Sequence, residues 1–409
     1  MPLNSAVPMP GKEGRTPVKS RKLKHTRRRA TIFTAAAASA VAGVALLPNW
    51  NAGASTVAEP QVDAETKAAF QSLADAVFTD RTNALVDRPR HGGKKAIAEG
   101  FSGKVKLSSG IGRTENAARK QLDDRKNRLA RNGEKYSAGS TKVTLDRTQV
   151  RGRTAVVKVT EDTTLTYAKV TGGEPGTTGF QAHHELTFTA DTQGAWKVTK
   201  IRETGDGYLA VNQLAQPKTT SVAVKTTTTT PAAPRAAITK RPPAVPKNLT
   251  GGEYDYRAMA AYAEKHWTNY NPAYPNFNGA GAGGDCTNFV SQSLKAGGWK
   301  HVPGYVYDYT RWFGTADIQS HSFVGVNEWS WFAQNSKRTT SLANVYQMDV
   351  GDVLQVDFDK DGSKDHTMIV TSRTNGVPYL TYHSTNTLRR SVTSIISSYP
   401  NAAYYAYRT

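Results

Sequence analysis

The chain has 409 residues, a single cysteine and 53 Lys+Arg against 33 Asp+Glu, a formal charge of +20. One cysteine excludes an internal disulfide framework and a multi-cysteine zinc site, and 21% charged with 9% aromatic residues argues against a wholly disordered chain. The basic excess invites a nucleic-acid reading, but a total says nothing about location.

Residues 1–54 hold nine basic residues and one acid, Glu13. A basic stretch ends in Arg27-Arg28-Arg29, an Ala-rich apolar run follows to Pro48, and Ala52-Gly53-Ala54 gives a small-x-small cleavage pattern. This predicts an export signal with Ser55 as the mature start, and the Arg run leaves both Sec and twin-arginine export open. Once the signal is cleaved, no membrane association is expected.

Residues 55–214 are expected to form an accessory α+β domain. Phe70, Leu73, Val77 and Phe78 lie at helical spacing and predict a helix over 61–82. A polar, Arg-rich stretch predicts a second, exposed helix over 114–133. Short β-branched runs at 142–145, 155–159, 163–167, 184–188 and 195–201 predict an antiparallel meander with turns near Gly152 and Gly194. A helix followed by a curved sheet is the pattern of cystatin-like or NTF2-like domains. His183 and His184 read as a surface pair. Residues 215–250, rich in Thr, Pro and Ala with six basic residues and no acid, read as a solvated linker whose charge would attract an anionic polymer.

Residues 251–409 hold 13 basic and 13 acidic residues, and the chemistry concentrates in this neutral block. A helix is expected over 253–267, then a Gly-rich loop, then Asp285-Cys286-Thr287-Asn288-Phe289-Val290. Phe289, Val290 and Leu294 form a stripe, and Gly297-Gly298 ends the helix. Asp285 suits the N-cap, which puts Cys286 in the first turn. A helix N-terminus stabilises a thiolate, and the first-turn amides suit an oxyanion. A Cys nucleophile needs a base, and that base needs an orienting group. His366, where a charged loop enters an apolar strand, is the candidate base. His383 on the next strand is the first choice as orienter and Asn386 the second. Asp357, Asp359 and Asp361 have calcium-loop spacing, but Met368 stands at the twelfth position and the flanks read as strands, so a hairpin turn is favoured. Of seven tryptophans, Trp267, Trp299, Trp312, Trp329 and Trp331 lie in this block; most are expected in the core. No metal and no cofactor are expected.

These residues resemble a known family. Tyr270-Asn271-Pro272-Ala273-Tyr274, Asp285-Cys286-Thr287-Asn288-Phe289-Val290-Ser291-Gln292, Ala296-Gly297-Gly298, Gly351-Asp352-Val353, Asp365-His366 and Tyr382-His383-Ser384-Thr385-Asn386 are similar to the "Putative amidase domain" of exported bacterial proteins. The domain looks like a relative of the papain-like cell-wall hydrolases, the NlpC and CHAP groups. The resemblance covers residues 254–409. It implies a papain-like α+β domain with Cys286 as nucleophile, His366 as base and His383 as orienter, and it carries over Tyr274 as an auxiliary residue. It departs where many relatives have a second cysteine and this chain has Ser293. The implied substrate is peptidoglycan or another wall-linked peptide, cleaved as an amidase or an endopeptidase would, outside the cell. Two alternatives stay open: acyl transfer from the same thioester, and a wall-binding protein without catalysis. The basic residues outside this block fall in no recognition motif, so nucleic acid is not an expected partner.

Overall fold

Asp63 accepts the Thr66 amide at 2.7 Å and so starts α1, Ala64–Leu85. The computed structural model describes residues 62–87, 105–205, 210–213, 231–239, 246–278 and 284–409. The expected export signal lies outside them, as do 215–230 and 240–245 of the expected linker. The architecture is α+β, and no described helix is long and apolar enough to cross a membrane.

Helix α1 buries Phe70, Leu73, Val77 and Phe78, the face that the spacing predicts. Helix α2, Ser109–Arg131, is capped by Ser108 and is not wholly exposed: Ala118, Leu122, Arg125 and Leu129 are buried. Arg125 hides this stripe in the sequence, and it is satisfied by the Val211 and Gln213 carbonyls. Strand β1, Lys106–Leu107, pairs in parallel with Lys197 and Val198. The meander is β2 (Tyr136–Arg151), β3 (Thr154–Tyr167), β4 (Thr177–Ala190) and β5 (Trp196–Glu203). Gly152 and Gly194 take φ of 53° and 81° at two of its turns, a conformation that suits glycine. The runs 155–159 and 163–167 are a single strand. Glu161 makes the run look broken in sequence, but it points inward and is fully buried.

Its partner corrects the histidine reading. His183 is exposed, while His184, one pleat on, is fully buried. His184 Nε2 lies 2.8 Å from Glu161, its Nδ1 meets Glu203, and Phe78 stacks on the ring. Arg81 closes the network with a bidentate pair to Glu115 and a contact to Glu203. Burial alone would depress the imidazole; the Glu203 and Glu161 carboxylates overcome it and hold the pKa up at about 9. A raised folded-state pKa gives stability that is complete below the unfolded value near 6.5 and is lost as pH rises through about 9, here about 3 kcal/mol at most. Ring nitrogen shifts should therefore report imidazolium at pH 8, and unfolding free energy should fall between about pH 6.5 and 9 and level off above. A neutral ring at pH 8 would contradict the network.

The C-terminal part comprises α3 (Tyr256–His266), α4 (Cys286–Ala296), α5 (His321–Val324), α6 (Val326–Asn335), β6 (Thr340–Leu342), β7 (Val353–Asp357), β8 (His366–Thr374), β9 (Val377–Tyr382), β10 (Thr387–Ser391), α7 (Val392–Ser398) and β11 (Ala403–Arg408). It shares one sheet with the meander, ordered β1-β5-β4-β10-β9-β8-β7-β11-β6, with β2 and β3 leading off β4. The join is β4 to β10, with Phe180 opposite Thr387 and Gly179 opposite Leu388. Two cores cover its two faces. On one, Phe289, Val290 and Leu294 of α4 pack with Val353, Ile369 and Tyr407. On the other, Leu354, Val356, Met368 and Val370 pack with Ile395, and Leu122 and Leu129 of α2 join them. The N-terminal module therefore shares a core with the C-terminal part. Trp299, Trp312 and Trp329 are buried in the α4-side core, as expected of most of the tryptophans.

The described parts of the linker are mostly exposed, but they are fastened to the C-terminal part at Ala236, Ala237 and Lys247. Ala236 donates to the Tyr404 carbonyl, and Ala237 exchanges bonds with Ala343 and Val345. Lys247 pairs with buried Asp352 and lies 3.7 Å from the Tyr256 ring centre. Composition suggested a free spacer, but the acid that Lys247 neutralises lies about a hundred residues downstream.

Candidate active site

Gly284, at φ 91°, turns the chain into α4, and Asp285 precedes its first residue, Cys286. Asp285 occupies the N-cap position without a side-chain cap bond. Its carboxylate serves other donors: Oδ1 accepts the Phe277 amide at 3.1 Å and Asn288 Nδ2 at 2.8 Å, and Oδ2 faces His383 Nδ1 at 2.6 Å. The other ring nitrogen, Nε2, lies 2.9 Å from the His266 carbonyl oxygen. A carboxylate oxygen on one side and a carbonyl oxygen on the other fix the orientation of the ring. Tyr270 and Phe289 stack on its two sides at 4.1 and 3.9 Å.

Cys286 is 3% exposed. Its thiol lies 3.8 Å from Thr287 Oγ1. Burial pushes its pKa above the ordinary value; the Thr367 amide and the Thr287 hydroxyl pull the other way, and the Asp285 carboxylate adds to the rise. A depressed, helix-activated thiol was the expectation. Desolvation outweighs the helix terminus here. Iodoacetamide alkylation of this lone thiol should be slow at pH 8 and accelerate above its ordinary value of 9.0. A rate already at plateau near pH 7 would refute the raised thiol.

The expected Cys286–His366–His383 triad is not assembled. On β8, Thr367 faces α4 and bonds Thr287 Oγ1 at 2.9 Å. Its neighbour Ile369 joins the α4-side core. His366, one pleat off, pairs with Val356 of the opposite core and meets the Tyr382 ring edge-on at 5.1 Å. Burial, and then the Arg390 charge, depress His366 to about 3. His383, the expected orienter, lies on the α4 side, where Asp285, the residue before Cys286, holds it.

The other expected residues lie nearby. Asn386 Oδ1 accepts the Tyr270 hydroxyl at 2.6 Å. Tyr274 is stacked on Phe323 at 5.9 Å and belongs to the core rather than to the His383 pair. Sequence reasoning gave no role to Tyr270, Asn278 or Ser384. Asn278 Oδ1 accepts the Asp285 amide at 3.2 Å and the Ser384 hydroxyl at 3.3 Å. Ser384 and Thr385 take φ of 63° and 70°, a strained turn for non-glycine residues. The signal for Tyr270 was its place in the Tyr270–Tyr274 stretch. Asp357, Asp359 and Asp361 bring one oxygen each within 4.8 Å, and each accepts amides of its own turn. This is the bonding of a connection between β7 and β8.

Two curated proteins of Bacillus subtilis (strain 168) are similar to this chain. "Uncharacterized protein YhbB" is 34% identical over 127 residues, 30% of this chain and 39% of that one. "Uncharacterized protein YjcM" is 34% identical over 146 residues, 35% of this chain and 34% of that one. The chain thus spans less than two fifths of the length of either relative. A solved structure, the intermembrane space region of the chloroplast protein ARC6, aligns with 35% of this chain and 98% of its own at 18% identity and a TM-score of 0.23. Residues 253–407, which include Asp285, Cys286 and His383, match the family model described as "Putative amidase domain", and the match supports a general amide-hydrolase function.

Proposed function

We propose that residues 253–407 form a cysteine-dependent amide hydrolase acting on the peptide part of peptidoglycan, in an exported, wall-associated protein. The observation that carries this is the juxtaposition at the start of α4: Cys286 opens the helix, and the preceding Asp285 holds His383 at 2.6 Å. In this reading His383 takes the thiol proton as the Cys286 sulfur attacks the carbonyl carbon, and α4's first-turn amides receive the oxyanion. His383 then gives that proton to the leaving amine as the C–N bond breaks, and takes one from the water that attacks the thioester, returning it to the sulfur as the acid leaves. With Nδ1 on Asp285, Nε2 is the acting nitrogen, so it must exchange the His266 carbonyl for the sulfur. The basic residues of 215–250, less the paired Lys247, would favour an anionic wall, and salt should weaken that attraction.

A second reading, wall binding without catalysis, is favoured by the buried, raised thiol and by His366 facing away. Digestion of purified peptidoglycan by the protein and by Cys286→Ser separates the two. New amine and acid termini in the mass spectrum of the wild-type products alone support hydrolysis and identify the bond. Identical products from both would reject the cysteine mechanism.

A further inference from the structure

A cleft of about 500 Å³ lies between the N-terminal module and the C-terminal part. One wall is strands β3 and β4 with residues 203–205, and the other includes Thr268, Tyr270, Asn276, Asn278 and 384–386. Because β4 and β10 are paired in one sheet, both walls belong to one framework. Gln181 of β4 links them: its backbone amide donates to the Asn386 carbonyl at 2.8 Å, its Oε1 lies 3.4 Å from Asn386 Nδ2, and its Nε2 donates to Asp162 at 2.9 Å. Asn386 in turn accepts from Tyr270, whose ring lies against His383. The cleft wall is thus one residue removed from the Asp285–His383 pair.

We propose that this cleft is a subsite for a peptide segment of the substrate, with Gln181 as the module's positioning residue. The proposal rests on the amide-hydrolase reading and adds what lies beside the scissile bond. The chemistry of the lining selects the class. Asn278 spends its carboxamide on Tyr270, Asn386, Ser384 and the Asp285 amide, but Gln181, bonded to Asp162 and Asn386, and Gln213, bonded to Ala210 and Glu203, each make half of the bonds they can, so the lining offers donors and acceptors together, as peptide groups do. A sugar ring would call for an open aromatic platform. The cleft's aromatic residue, Tyr270, has His383 stacked on its ring and its hydroxyl tied to Asn386. The mixed charges of the lining, Asp146, Lys158 and Glu203, favour an uncharged backbone over a polyanion.

Binding separates this proposal from the catalytic one. Full-length Cys286→Ala protein is titrated with N-acetyl-tetraalanine amide and, separately, with N-acetylglucosamine tetramer. The peptide should bind and the oligosaccharide should not. Thr268→Trp, which fills the cleft, and Gln181→Ala should each raise the peptide Kd at least ~10-fold, about 1.4 kcal/mol. In the active protein Gln181→Ala should raise KM more than it lowers kcat. No peptide binding, tighter oligosaccharide binding, or an unchanged Kd in a folded Gln181→Ala variant would each overturn the subsite. Peptide binding without any hydrolysis by the wild type would leave the subsite standing and remove the enzymatic reading.

Discussion

Cys286→Ser should lower amide hydrolysis by at least ~10³-fold, and His383→Ala by ~10²–10⁴-fold, the usual worth of a nucleophile and of a proton carrier. His366→Ala should leave kcat within about threefold and cost about 1–3 kcal/mol of stability, as expected for a buried polar group removed from a packed site. The contrast follows from the pleat of β8. Thr367 bonds Thr287 across to α4, so His366 must point to the other face, where Val356 and Tyr382 surround it. Its low basicity, set by burial and Arg390, keeps it neutral without giving it a path to the sulfur. The reverse pattern, with activity lost in His366→Ala and kept in His383→Ala, would mean that the working site uses a different register of β8. Denaturation curves of each variant separate lost chemistry from lost fold.

What the sequence made legible was local. The α1 stripe, the Asp285-Cys286 helix start and the Gly297 stop follow from periodicity and caps. A Cβ on Gly297 would run into Met259 and the Asp255 carbonyl, which explains that glycine beyond its role as a stop. The face of His366 was not legible. Met368, Ile369 and Val370 are apolar on both faces because the sheet is covered on both sides, so alternation gives no register there. Contacts remote in sequence decide it: Thr367 to Thr287, Ile369 in the α4-side core and His366 against Tyr382. The same limit explains His184 and Lys247: each reads as surface until its carboxylate partner, remote in sequence, is placed. The shared β4–β10 sheet was likewise invisible, because pairing between distant strands leaves no local pattern.

Asp352→Ala should destabilise the protein by about 3–5 kcal/mol, the range for breaking a buried ion pair from one side. The side chain is fully buried. It accepts the Asp349 amide at 2.7 Å and the Thr409 amide at 3.1 Å, pairs with Arg408 Nε at 3.1 Å, and holds Lys247. Gly351 before it sits at φ 84°, with no room for a Cβ beside Tyr256. The Gly351-Asp352-Val353 motif thus ties the end of the expected linker, the entry to β7 and the C-terminal strand to one carboxylate. Burial pushes the Asp352 pKa up, and Lys247 and Arg408 only partly pull it back. Desolvation therefore offsets much of the attraction, and the pair as a whole contributes little net stability. That asymmetry is testable. Asp352→Ala leaves the Lys247 ammonium and the Arg408 guanidinium without their carboxylate, whereas Asp352→Leu with Lys247→Met removes the acid and the more deeply buried of the two cations, leaves Arg408 on the Gln347 carbonyl, and should recover part of the loss. Urea unfolding of the three proteins measures it. A double variant no more stable than Asp352→Ala would show that the bonds to the Asp349 and Thr409 amides, rather than the stranded charge, account for the cost.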